Sequence, residues 1–279
     1  MKARMHKTIL LLLLGLSSSA MALSPIGPTQ AVMGEKEWGV GLNVGFQTMD
    51  LVADGTYYEY APGPTTRTAS DKIAIKDVDS ISSFVQINLG LSPKWDIYGL
   101  IGASNGDGDA TVKAASVTAT QGFNNGDKFD VNGDHEVSGG VGTRFTLADY
   151  DTIKWGGMAQ ITWHQPKGNS AWTVGGFRTT GTWELEYLEL IVALGPTFVY
   201  ENVEFYGGPF LHMVRGDMNF AGTTNDGTAR TSQDLKEEAM VGGYAGMQMD
   251  LCENTVFYVD GQFTGKAWGV GVGTILRME

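Results

Sequence analysis

The sequence has one cysteine, Cys252, and only eight prolines among its 279 residues. A lone cysteine excludes an intramolecular disulfide framework. The 39 glycines are spread along the chain, which excludes a low-complexity linker. Cationic residues are also few, since 19 Lys and Arg stand against 31 Asp and Glu. Because proteins bind nucleic acid by neutralising its phosphates with cations, this charge balance argues against a nucleic-acid partner.

Long apolar runs are absent except near the N-terminus. There, three cations in the first seven residues precede ILLLLLGL (9–16) and then SSSAMA, which is the order of a secretory signal peptide. We expect residues 1–22 to be removed from an exported chain and residues 23–36 to form a short periplasmic segment. Removal leaves 16 Lys and Arg against the 31 acidic residues, a formal net charge of −15. No later run reaches the roughly 18 to 20 apolar residues of a membrane helix, so a membrane-spanning chain would have to be a barrel.

The exported part of the sequence alternates between apolar residues and small or polar ones, a pattern typical of β-strands. In WGVGLNVGF, for example, every second residue is apolar and those between are Gly or Asn. The pattern predicts ten strands, at 38–46, 82–91, 95–104, 135–147, 154–164, 187–200, 203–215, 239–251, 256–265 and 267–277.

The connections between these strands alternate in length, except that the last one, near Lys266, is short where a long loop is expected. SPK (92–94), ADYDTI (148–153), EN (201–202) and CENT (252–255) are short, whereas 51–79, 105–135, 165–182 and 216–238 are long. Tight turns at one end and long loops at the other, with an even number of strands, are typical of outer-membrane barrels. The sequence therefore predicts that residues 37–279 form one all-β domain, a ten-stranded antiparallel up-and-down transmembrane β-barrel with long extracellular loops and short periplasmic turns.

An exported β-sandwich is the alternative, because it also consists of alternating strands. In a sandwich, however, long loops have no reason to gather at one end. The large aromatic residues also favour the barrel, since they form two groups that match the two interfaces of a membrane. Trp38, Trp95, Trp155 and Tyr200 fall near the short turns, and Trp163, Trp183 and Trp268 fall near the long loops.

Four segments, IYGLIGAS, EFYGGPFLH, YVDGQF and WGVGVG, resemble strands of bacterial outer-membrane β-barrel proteins of the small porin-like group. The resemblance covers most of residues 37–279 and points to no particular member. It implies a Gram-negative cell-envelope protein that is located in the outer membrane, with outer-membrane lipid as its surroundings.

Five charged residues occupy positions that face the inside of the predicted barrel. They are Arg144, Lys154, Glu189, Glu204 and Asp260. A ten-stranded barrel has a modest interior, and an unpaired charge in such a space is costly. We therefore expect paired networks, which either line and select a narrow pore or plug it.

The stretch DKFDVNGDHEVSGGVG contains a candidate calcium site. Asp130, Asn132 and Asp134 supply oxygen ligands at the spacing of the first three positions of a calcium loop. The sixth position is His135, where such a loop requires glycine, and the twelfth is Val141, which has no carboxylate. The alternative is an acidic loop tip without calcium, although the nearby NGDGDA segment could contribute further carboxylates to one ion.

The first functional hypothesis is a structural barrel or small-solute pore that is not an enzyme. The alternative is a surface-exposed binding or adhesion protein whose long acidic loops contact an extracellular ligand, with calcium ordering residues 105–135. A third hypothesis is a barrel hydrolase that uses His164 or His212, although the sequence has no local signature of such enzymes. Catalysis would require a nucleophile and a carboxylate within hydrogen-bond reach of the imidazole.

Overall fold

The computed structural model describes residues 24–60, 66–114, 126, 128–131, 133–174, 177–224, 227–237 and 240–278. The predicted signal peptide, residues 1–22, lies outside these residues. Every regular element in the described part of the chain is a β-strand, so the all-β prediction is confirmed. In the same part of the chain, no helix is long and apolar enough to cross a membrane.

Fourteen strands form one antiparallel sheet. They are β1 (Trp38–Tyr60), β2 (Thr66–Ser92), β3 (Trp95–Ser104), β4 (Asp107–Ala114), β5 (Lys128–Val131), β6 (Glu136–Tyr150), β7 (Ile153–His164), β8 (Lys167–Val174), β9 (Phe177–Tyr200), β10 (Val203–Thr224), β11 (Gly227–Glu237), β12 (Val241–Cys252), β13 (Thr255–Thr264) and β14 (Ala267–Met278).

Ten of these strands pair in a closed ring in the order β1, β14, β13, β12, β10, β9, β7, β6, β3 and β2. Trp38 on β1 pairs with Met278 on β14 and with Leu89 on β2, which closes the ring. Each predicted strand coincides with one strand of the ring. The ring is uneven, because β1, β2, β9 and β10 have 22 to 27 residues and the other six have 10 to 15.

The two ends of the ring differ as the connection lengths predict. At one end, called the turn end below, two-residue turns at 93–94, 151–152, 201–202 and 253–254 join neighbouring strands. At the other, the hairpin end, most of the predicted loop residues belong to strands. β1, β2, β9 and β10 extend beyond the ring, and β4, β5, β8 and β11 are added there. Polar, Gly-rich composition concealed these strands in the sequence.

The extended strands build a second, narrower ring at the hairpin end. There β11 pairs with both β10 and β1, while β4 pairs with β2, β5 with β4, and β8 with β9. An isolated bridge between Asp134 and Lys167 links the β5 side to β8. The Ser170 hydroxyl adds a 2.7 Å hydrogen bond to the Asp130 carbonyl oxygen. Eight strands therefore surround the hairpin end.

An apolar core fills this narrower ring. An eight-stranded ring leaves an interior that side chains can just fill. The buried residues at the hairpin end are Met49, Leu51, Ala53, Ile73, Ile75, Val78, Ala110, Val131, Trp183, Leu185, Met218, Phe220 and Leu235. The hairpins are thus packed together and form a single folded extension of the ring.

The ten-stranded ring has the opposite distribution of polarity, with apolar side chains outside and polar ones inside. Its exposed apolar residues include Leu42, Val85, Ile87, Ile101, Val137, Val141, Ile161, Leu188, Val192, Leu194, Phe198, Val241, Phe263 and Trp268. Its buried polar residues include Asn43, Gln86, Asn88, Asp96, Arg144, Gln160, Thr162, His164, Glu189, Thr197, His212, Asp260 and Gln262. This inverted arrangement is the one that strands of membrane barrels adopt.

The segment before β1 lies inside the ten-stranded ring. Ser24, Ile26, Thr29, Gln30 and Met33 are all at most 3% exposed. The sequence predicts a short periplasmic segment at residues 23–36, whereas residues 24–33 occupy the interior of the ring. Two prolines and a left-handed glycine keep this segment irregular. We call residues 24–33 the inner segment.

Candidate functional site inside the strand ring

Alternation along each strand places the charged side chains inside the ring. On β3, Trp95 and Ile97 point outward, so Asp96 between them points inward. Asp96 stands opposite Arg144 of β6 in the ladder, and Arg144 Nε donates a 2.9 Å hydrogen bond to Asp96 Oδ1. Arg144 also donates to Asn88 Oδ1 at 2.6 Å. Both charges of the buried pair are therefore partnered.

A second pair lies near the turn end. Lys154 Nζ of β7 is 2.8 Å from Glu204 Oε1 of β10. Glu204 Oε2 accepts further hydrogen bonds from Gln30 at 2.6 Å and Gln248 at 2.5 Å. The Lys154 and Glu204 side chains are 29% and 17% exposed, and they border a cavity of about 380 Å³ at the turn end. This pair is the solvent-accessible part of the network.

Glu189 of β9 lies at the centre of a third cluster. His164 Nε2 is 3.3 Å from Glu189 Oε2, and His212 Nε2 is 2.7 Å from Glu189 Oε1. His164 Nδ1 is 2.9 Å from Ser104 Oγ, which in turn is 2.6 Å from Ser138 Oγ. In the neutral ring, donation from Nε2 to Glu189 leaves Nδ1 to accept a hydrogen bond from the Ser104 hydroxyl. All of these side chains are fully buried.

His212 connects this cluster to the hairpin end, because its Nδ1 lies 2.6 Å from Glu237 Oε2 of β11. The Nε2 contact with Glu189 has the geometry of a hydrogen bond, whereas the Nδ1 contact with Glu237 is a close approach without that geometry. Two carboxylate groups this close to one imidazole favour its cationic form. The cluster therefore contains one cationic histidine between two carboxylates.

Asp260 of β13 has a different environment. Its Oδ2 accepts a 3.0 Å hydrogen bond from the Gly27 backbone N–H, and its Oδ1 accepts one of 3.1 Å from Gln262. Within the described residues, Asp260 forms no ion pair. Amide donors therefore hold this buried carboxylate.

The inner segment is attached to the ring mainly through carboxylates. Ser24 donates from its hydroxyl to Glu189, and Gly27 donates to Asp260. The backbone N–H groups of Val32 and Met33 donate to Asp96 Oδ2 at 2.7 and 3.2 Å. Together with the Gln30 bond to Glu204, these contacts reach four different strands of the ring. Hydrogen bonds to ionised acceptors are stronger than neutral ones, so the attachment is firm.

The five charged residues that the sequence assigns to the interior do not form one network, because the structure gives them separate partners. Arg144 pairs with Asp96, Lys154 pairs with Glu204, and Glu189 and Asp260 each have their own partners. Two charged residues of the site, Asp96 and Glu237, were not predicted from the sequence. Strand alternation around Trp95 and Ile97 was the available signal for Asp96. No such signal was available for Glu237, because it lies in the stretch 216–238, which the sequence predicts as a loop.

Two of the predicted calcium ligands, Asp130 and Asp134, lie on the hairpin extension. Asp130 is on β5 opposite Asp109 of β4, so the two acidic stretches are neighbours as expected. Asp134 takes part in the bridge to Lys167, while Asn132 lies outside the described residues. Asp107 accepts a 2.9 Å hydrogen bond from the Gly133 backbone. In the described part of the chain, no group of His, Cys, Asp or Glu has a metal-binding arrangement.

No protein-family model and no curated protein matches the sequence. Solved structures do match the fold. The outer membrane protease OmpT from Escherichia coli is 11% identical, with 86% of this chain and 94% of that chain covered and a TM-score of 0.41. The Ralstonia pickettii toluene transporter TbuX is 10% identical, with 95% of this chain and 96% of that chain covered and a TM-score of 0.38. Ail, the attachment invasion locus protein of Yersinia pestis, is 11% identical, with 88% of this chain and 99% of that chain covered and a TM-score of 0.26.

These neighbours, at 10 to 11% identity and TM-scores below 0.5, assign no location to this chain. They comprise a protease, a transporter and an attachment protein, so no activity comes with the likeness.

Proposed function

We propose that this chain is an outer-membrane β-barrel protein that is closed to solutes and acts as a structural barrel with a rigid β-structure at the cell surface. The filled interior is the observation that carries this proposal. The inner segment and the polar network occupy the ten-stranded ring, and the apolar core occupies the narrower ring above it.

The outer face of the ring supports the placement in a membrane. Exposed side chains such as Leu42 at 60%, Ile87 at 57% and Val141 at 63% would be costly in water but suit the hydrocarbon of a bilayer. The six shorter strands of the ring have 10 to 15 residues, and a tilted membrane strand needs about 9 to 11. Tight turns face the periplasm in such barrels, which puts the hairpin end outside the cell.

A small-solute pore is the second candidate function. A solute would have to displace the inner segment, which is hydrogen-bonded to Glu189, Asp260, Glu204 and Asp96. It would then meet the apolar core, whose members belong to the strands themselves. Because both the inner segment and the apolar core would have to move aside, the structure favours the closed barrel over a permanent pore.

The hydrogen-bonded residues Ser104, His164 and Glu189 are of the types found in a hydrolase triad. Their arrangement nevertheless gives little support to catalysis. Ser104, His164 and Glu189 are each 0% exposed, and a nucleophile must reach its substrate. The structure gives more support to the surface-binding alternative. The packed hairpin extension presents a rigid surface, so an extracellular ligand could bind it with little loss of conformational entropy in the protein.

Recordings in planar lipid bilayers test the closed barrel. The full chain and a variant without residues 24–33 are first shown to be folded by heat-modifiable gel migration and β-type circular dichroism. We expect no steady conductance from either, because the apolar core remains in both. Steady channels from the full chain would contradict the proposal. Channels from the shortened variant alone would show that the inner segment is the seal of a gated pore.

A further inference from the structure

Four lysines converge on one cavity on the outer face of the chain, just above the ten-stranded ring. The cavity has a volume of about 290 Å³. Its charged lining consists of Lys72, Lys76, Lys113, Lys266 and Asp50, and Leu51, Val52, Ala74 and Ile75 provide the apolar part. We call it the lysine pocket. It lies at the step where β13 and β14 end and the narrower ring begins.

The lysine pocket has one carboxylate, and that carboxylate is already occupied. Asp50 Oδ2 is 3.4 Å from Lys266 Nζ, and Asp50 Oδ1 accepts a 3.3 Å hydrogen bond from the Asp77 backbone. The remaining three ammonium groups of the pocket therefore have no acid of the pocket available to them.

Lys72, Lys76 and Lys113 form no ion pair within the described residues. This holds although Asp54 stands opposite Lys72, and Asp109 opposite Lys76, in the strand ladders. All three lysine side chains are exposed. In a chain with 31 acidic residues and 19 basic ones, three unpaired lysines around one cavity need a reason. Cationic side chains around one cavity can bind an anion that carries more than one charge.

The height of the lysine pocket indicates where that anion comes from. Lys266 sits in the turn between β13 and β14, next to Phe263 and Trp268, which are 63% and 46% exposed at the upper edge of the apolar outer face. Aromatic residues at this position mark the membrane interface of a barrel. A strand rises about 3.3 Å per residue, so Lys266 lies within about 10 Å of that edge, at the level of lipid headgroups.

We propose that the lysine pocket binds the phosphate groups of an anionic glycolipid in the outer leaflet of the outer membrane. This inference rests on the proposed membrane placement. Lysine recognises phosphate as a point charge, and three or four lysines together match a headgroup that carries more than one phosphate. Free phosphate in solution would gain nothing from this position beside the aromatic edge.

The test uses the full chain folded in detergent and native mass spectrometry with lipid A that carries two phosphates. The test variant is Lys72→Gln/Lys76→Gln/Lys113→Gln. The control variant, Lys94→Gln/Lys128→Gln/Lys236→Gln, removes the same charge from exposed lysines outside the pocket. We expect the wild-type chain and the control to retain the lipid, and the test variant to bind it at least about tenfold more weakly, because each basic residue near an anionic headgroup contributes to binding.

Further probes separate the possible outcomes. Monophosphorylated lipid A should bind more weakly than the form with two phosphates, and phosphatidylethanolamine should bind equally to all three proteins. Equal retention of lipid A by the test and control variants would overturn the inference. Competition by millimolar inorganic phosphate would assign the pocket to a soluble anion instead. Failure of the wild-type chain to insert into lipid vesicles would overturn the membrane placement, and the inference with it.

Discussion

His212 and Glu189 form a buried contact of 2.7 Å between Nε2 and Oε1, and the opposite nitrogen of the same ring lies 2.6 Å from Glu237. This arrangement ties β10 to β9 and to β11, and so it joins the ten-stranded ring to the narrower ring above it. A single imidazolium there balances charges from two strands.

Replacement of His212 by Asn should destabilise the fold strongly. Glu189 and Glu237 would lose their shared cation, and removal of one partner from a buried ion pair costs about 3 to 5 kcal/mol. Urea unfolding of the detergent-folded protein, followed by tryptophan fluorescence, measures the change. His135→Asn is the control, because His135 is exposed and belongs to no strand. Equal unfolding midpoints for the two variants would show that His212 has no such role.

The fit of the inner segment can be tested at Gly27. Gly27 has a φ of 63°, and a Cβ built there would lie 3.2 Å from the ring of Tyr258. Gly27→Ala should therefore loosen residues 24–33, at a cost of about 1 to 3 kcal/mol for overpacking, and should speed hydrogen exchange of their amides.

Gly126→Ala is the matched control, because Gly126 also has a positive φ of 90° but no atom within 4 Å of the added Cβ. Both variants share the backbone strain of a left-handed alanine, so the difference between them isolates the contact with Tyr258. Unchanged exchange in residues 24–33 of Gly27→Ala would mean that the segment does not pack against Tyr258.

The ten strands of the ring could be predicted because each has one apolar and one small or polar face, as WGVGLNVGF illustrates in β1. The hairpin extension could not, because alternation is the main signal and the stretch DLVADGTYYEY has too little of it. Its pairing is decided by neighbours far away in sequence, such as β11 on β1. Tertiary context of this kind overrides local pattern.

The candidate site was predictable only in part, for the same reason. Charged residues between apolar ones, such as Arg144, could be assigned to the interior from alternation. Their partners could not, because Arg144 meets Asp96 across 48 positions of sequence. The inner segment was missed because SPIGPTQ has no periodicity, and its place depends on carboxylates from four strands.

The orientation of the chain can be tested with its own cysteine. Cys252 is exposed beside the turn between β12 and β13, which the proposal places in the periplasm. A maleimide that cannot cross the outer membrane should label Cys252 only after the membrane has been permeabilised. In a Cys252→Ser background, Asn169→Cys, at an exposed position of β8, should be labelled on intact cells. The reverse pattern would invert the orientation.

The outward apolar face makes the most direct prediction about the membrane. Ile87 is 57% exposed near the middle of the ring, where an arginine or lysine facing hydrocarbon costs about 2 to 4 kcal/mol. Tyr150, which is 65% exposed at the turn end, lies where the same change costs about 0 to 1 kcal/mol. Ile87→Lys should thus lower the urea midpoint of the vesicle-inserted protein well below that of Tyr150→Lys. On a water-exposed surface the two substitutions would have similar, small effects, so equal midpoints would argue for an exported β-fold outside the bilayer.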